Sequence, residues 1–139
     1  MKSNLMKLKW TGLIAASLMV AAVPALAHHS FSAEYDRAKT VQLKGTVTKV
    51  EWMNPHARFY LDVKDDGGKV VNWEFELGSP NGLMRQGWTR NSLKVGDVVS
   101  VNGSQAKDGS NLVNANNVAF ENGKRVLGGA SSADDPATK

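Results

Sequence analysis

The chain has 139 residues, 17 of them basic and 13 acidic, and no cysteine. That length suits one domain with a modest core, and the missing thiols exclude disulfides, thiolate metal sites and thiol catalysis. The formal charge of +4 lies mostly in the first 27 residues, and the remaining chain, at about +1, has too weak a field for a phosphate backbone, so nucleic acid is excluded as a partner.

Residues 1–27 read as a signal peptide. Lys2, Lys7 and Lys9 form a positive start, Leu13 to Val23 an apolar stretch, and Ala25-Leu26-Ala27 the small-x-small pattern that a signal peptidase cuts. The apolar run falls short of the roughly 20 residues that a membrane span requires, and no later segment approaches that length. The expectation is a periplasmic or secreted protein beginning at His28, with no transmembrane span after cleavage.

Residues 28–40 (HHSFSAEYDRAKT) hold no sustained period and are expected to form an extended arm, with Phe31 and Tyr35 able to pin it to the domain. A domain over 41–127 follows. Val41 to Trp52 reads as its first strand. Val41, Leu43, Gly45 and Val47 share one parity and Val50 and Trp52 the other, so a bulge near Thr48-Lys49 is predicted, which curls a sheet. Asn54-Pro55 ends the pairing, because proline has no N–H to give. Two cleanly alternating strands come next, with Phe59, Leu61, Val63, Val71, Trp73, Phe75 and Leu77 on the buried face. Arg58, Tyr60, Asp62, Asn72, Glu74 and Glu76 take the outer face, and Asp65-Asp66-Gly67-Gly68 makes the turn between the strands.

Ser79-Pro80 caps and opens a short helix. Two further strands contain Val98 to Val101 and Val113 to Phe120, and the second of them changes parity across Asn116-Asn117. Asn122-Gly123 turns the chain into a short return over Lys124 to Leu127, and residues 128–139 form a small, polar tail expected to be disordered. Three strands, a helix between strands three and four, and two more strands predict an all-β fold, a small OB-like five-stranded antiparallel barrel. The rival is an open antiparallel sheet with the helix across one face.

The runs AHHSFSAEYD, LKGTVTKVEWMNPHARFYLDV, WEFELGSPNGLMRQGW, SLKVGDVVSVNG and KDGSNLVNANNV together resemble the exported bacterial proteins grouped as domain of unknown function 6152 (DUF6152). The resemblance covers nearly all of the chain after residue 27. It implies a small exported domain in which His28, His29 and His56 occupy motif positions, and it implies no activity.

These three are the only histidines. Cleavage after Ala27 would give His28 an imidazole and a free α-amine, whose pKa near 8 makes deprotonation easy at neutral pH. With an imidazole from His56 or His29 the set is all nitrogen and suits Cu(II), whereas a structural zinc site would want four ligands. Residues 28–40 and 41–53 each reach at most about 43 Å at 3.3 Å per residue, so the arm is long enough to return to His56. The plainer alternative is a polar terminus and a turn histidine bonded to backbone. Arg58, Tyr60, Glu74 and Glu76, with Trp52 as a wall, form a second candidate ligand face, whose plainer reading is cross-strand ion pairing in solvent. No nucleophile elbow or triad order is present. The leading expectation is a non-enzymatic binding module with copper as its candidate ligand. A small copper-dependent redox enzyme and a metal-free envelope protein-interaction domain are the alternatives.

Overall fold

A computed structural model of the chain describes residues 30–123, 125 and 126. The expected signal peptide, His28 and His29, and the expected tail lie outside the described residues.

Along the described chain come α1 (Ser30–Glu34), β1 (Tyr35–Glu51), β2 (Arg58–Lys64), β3 (Val70–Glu76), α2 (Pro80–Arg85), β4 (Val98–Ala106), β5 (Leu112–Phe120) and β6 (Arg125–Val126). The segment expected as an extended arm is thus a helical turn followed by the first residues of a long strand. Phe31 and Tyr35 stand four apart, the spacing of neighbours on a helix, and their rings lie 5.3 Å apart. Among the described residues no helix is long and apolar enough to cross a membrane.

β1 pairs with β2 and β4, β2 with β3, and β4 with β5, all antiparallel. β3 also pairs with β5, and this pairing is parallel. Each of the five long strands therefore has two neighbours, and the ladder returns to the strand it left. The wholly antiparallel arrangement expected from the sequence is corrected to a mixed sheet for a simple reason. Directions cannot alternate all the way round a ring with an odd number of members, so one neighbouring pair must run the same way. Two short helices accompany the strands, and the fold is mostly β.

Both predicted bulges are present. The β1–β2 register shifts between Val47 and Lys49. In β4–β5, Asn102 faces Asn117 while Gly103 faces Ala115, which leaves Asn116 as the extra residue. Glycines sit where the curled strands come closest. A Cβ on Gly45 would lie 2.5 Å from the Asp62 carbonyl oxygen, and one on Gly103 would collide with the backbone of Asn114.

The core is apolar and continuous. Phe59 and Phe75 stack with ring centroids 5.0 Å apart, and Leu61, Val47, Val99 and Val113 are fully buried around them. From the α2 side, Leu83, Trp88 and Leu93 join the same core. α2 starts as predicted, with the Gly82 N–H donating to the Ser79 hydroxyl at 3.2 Å and Pro80 as its first residue. Val71 and Trp73 are only half-buried, because at their end the inner face opens into a groove of about 490 Å³ that Leu43 and Val63 also line.

Candidate functional site

The connection between β1 and β2 delivers His56. After Pro55 the ladder resumes one residue before β2 begins. The Ala57 N–H donates to the Gly78 carbonyl at 3.0 Å, and the Leu77 N–H to the Ala57 carbonyl at 2.9 Å. Ala57 is buried, and this pairing sets the preceding residue beside the end of β3. There His56 Nδ1 lies 3.2 Å from Glu76 Oε1.

Glu76 was expected on the outer, solvated face, yet it is 4% exposed. A carboxylate in such a place needs partners. Arg58, its cross-strand neighbour, donates from Nη2 to Glu76 Oε2 at 3.3 Å and from Nη1 to Glu74 Oε1 at 2.8 Å. Asn114 lies directly opposite Glu76 in the parallel β3–β5 pairing, and its Nδ2 approaches Glu76 Oε1 at 3.5 Å. The buried Tyr35 hydroxyl faces the same carboxylate without a hydrogen bond of ordinary geometry.

Charge in this cluster follows the burial. Burial pushes the Tyr35 phenol well above its ordinary range, and the charges of Glu76 and Glu34 add to the effect. Glu34 is also raised, by burial first and then by Glu76. Burial works against the Arg58 charge, but the Glu74 and Glu76 carboxylates outweigh it and hold the guanidinium above its usual pKa.

The candidate residues thus fall into two groups. His56, Arg58, Glu74 and Glu76 meet in one network. Tyr60 turns the other way, and its hydroxyl donates to Glu51 Oε2 at 3.1 Å. Lys49 pairs with the same Glu51, which the bond from Lys49 holds below the usual carboxylate range. Trp52 is half-buried and shares a narrow cleft with Ala57, Arg58 and Trp88. Among the described residues no group of three or more histidine, aspartate and glutamate side chains is arranged to hold a metal ion.

Sequence reasoning missed Asn114 and the role of Tyr35. Asn114 had a signal, since it is a polar residue between Val113 and Ala115 in an otherwise apolar stretch of β5. Tyr35 was read as a pin for the arm, and it is one, but the surface it packs on is the Glu76 cluster. Chemically, the arrangement is a partly exposed imidazole tied through one nitrogen to a buried carboxylate, which an arginine neutralises.

Compared with known proteins, the chain matches the model of a family of unknown function, DUF6152, over residues 15–114. No curated protein matches it.

Proposed function

We propose that this chain, which belongs to the DUF6152 family of unknown function, is an exported binding module, an OB-like β-barrel that takes one copper ion through His56 with His28 and His29. The barrel reading is supported by the closed circuit of strand pairings, the two bulged strands and the helix between the third and fourth strands. Export rests on the composition of residues 1–27.

One observation carries the copper reading. Tyr35 and His56 address the same buried carboxylate, Glu76, and His29 and His28 stand six and seven residues before Tyr35. Seven residues span at most about 23 Å, so the length of chain permits His28 and His29 to join His56. Arg58 and the two glutamates, by contrast, are already engaged with one another, which argues against their clamping a separate ligand.

The test is copper binding by the protein as its own cells process it. We expect an intact mass that begins at His28, one Cu(II) per chain, and an EPR spectrum with nitrogen ligation. His28→Ala and His56→Ala each weaken binding by at least tenfold, and one residue added before His28 does the same. Equal binding by the native and extended termini would refute the reading. Copper-dependent peroxide formation with a reductant would mark a redox enzyme instead, and partner capture that survives both alanine variants would mark a metal-free adaptor.

A further inference from the structure

We infer that the open edge of β1 at residues 40–44, with the apolar groove beside it, is a docking site for an extended peptide that adds to the sheet as a further strand. The site lies at the far end of β2 from His56 and requires no metal, so it goes beyond the copper reading.

β1 has 17 residues and β2 has 7, and the mismatch leaves an edge. Pairing with β2 covers β1 only from Gly45 onward, whereas pairing with β4 continues without a shift back to Thr40. Residues 40–44 therefore have a ladder on one side alone among the described strands. Val47 tells which of their backbone groups are left over. Its N–H donates to the Asp97 carbonyl at 2.8 Å and its carbonyl accepts from the Gly96 N–H at 2.8 Å, both on the β4 side. Bonding direction alternates along an antiparallel strand, so Gly45, Leu43 and Val41 also turn to β4, and Gln42 and Thr40 turn away from it. Outward N–H and C=O groups in such a row are a template for another strand.

The groove of about 490 Å³ begins at this edge, with Gln42 and Leu43 on one side and Val71 and Trp73 on another. Leu43, Val71 and Trp73 are only half-buried, an unfinished end of the inner face. Side chains of an added strand alternate between the two faces of a sheet, so every second one would cover these three. Main-chain pairing supplies affinity in this mode of recognition, and the recess selects the side chains. A small ligand could fill the groove, but it has no backbone to satisfy Gln42 and Thr40 together. The rim sets Lys44 and Lys64 against Asp65 and Asp66, a balance that draws neither a polyanion nor a polycation and suits a neutral backbone. A second copy of this chain fits less well. Edge-to-edge pairing would gather two Lys39 and two Lys44 side chains along one short seam, and lysines commonly guard an open edge in this way.

The test selects binders from a random library of peptides of about seven residues against the full chain, without metal. Recovered peptides should carry apolar residues at alternate positions. When one binds, the Thr40 and Gln42 amides should exchange about tenfold more slowly, while Val41 and Leu43, already paired to β4, change little. Gln42→Pro removes an N–H that β4 does not use, so it should fold and weaken binding about tenfold or more. Gln42→Ala keeps that N–H and should bind normally. Methylating alternate amide nitrogens of the peptide needs no variant protein, and one phase should abolish binding while the other spares it. Failure to recover any peptide, unchanged binding by a folded Gln42→Pro, or equal effects of the two methylation phases would overturn the inference. So would a dimer in ultracentrifugation whose Thr40 and Gln42 amides are already protected, since a second copy would then hold the edge. Peptide binding by a protein that takes no copper would sustain this site and leave only the copper reading refuted.

Discussion

The two faces of the β2–β3 pair are made from alternate residues of the same strands and are held by different physics. On the inner face Phe59, Leu61 and Phe75 are excluded from water, which stabilises them roughly in proportion to the area removed. On the outer face Asp62 and Asn72 stay in solvent, while Arg58, Glu74 and Glu76 at the end of the same pair are gathered into a cluster with Glu76 buried. Apolar packing tolerates many substitutions of similar volume. A buried carboxylate tolerates few, because it is sustained only by particular donors at particular distances.

That contrast can be broken at several points. The largest effect should come from Phe59→Ala, which removes one ring of the stacked pair and leaves a cavity. We expect a loss of about 3–5 kcal/mol in urea unfolding, with His56 ring signals unchanged in whatever fraction stays folded. Arg58→Ala should cost less, about 2–3 kcal/mol, because it leaves the Glu76 carboxylate buried with its cationic partner gone. If Arg58→Ala cost no more than Lys44→Ala, the cluster would be ordinary surface pairing. Lys44 and Glu121 meet at 2.7 Å with both side chains more than half exposed, and such a pair is worth no more than about 1 kcal/mol.

The smallest effect at neutral pH should come from Tyr35→Phe, since the hydroxyl makes no hydrogen bond of ordinary geometry there. Its consequence appears in alkali. The folded state holds the Tyr35 proton far above the ordinary 10.0, where the unfolded chain has released it. The stability this contributes is complete below pH 10.0 and falls as pH rises beyond that value. Unfolding midpoints measured from neutral to strongly alkaline pH should decline less steeply in Tyr35→Phe than in the unaltered protein.

Much of the strand pattern was legible in the sequence, because period-two alternation and turn chemistry are local. The hairpin at Asp65-Asp66-Gly67-Gly68, the helix opened by Ser79-Pro80, and both parity changes could be read from neighbouring residues alone. The parallel meeting of β3 and β5 could not, since it depends on how the directions of five strands add up. α1 was missed because Ser30–Glu34 is only five residues long, and its one apolar neighbour at helical spacing, Tyr35, lies just beyond it. The site was half legible. His56, Arg58 and Glu74 were singled out by type and position, but the burial of Glu76 required knowing that Tyr35 and Asn114 close on it from distant parts of the chain.

The parallel β3–β5 seam also bears on how long the molecule stays closed. Glu76 and Asn114 face each other across it and lie 38 positions apart in the chain. Pairings so remote in sequence carry a large loop-closure cost and form slowly. Until β5 arrives, β3 presents an unpaired edge on which another chain can add. The contact from Asn114 to Glu76 crosses that seam like a clasp. A ligand that grips only the closed form would hold the clasp shut, so its first measurable signature need not be spectroscopic. It would be slower amide exchange along β3 and β5, and a longer lifetime before the edge opens to its neighbours.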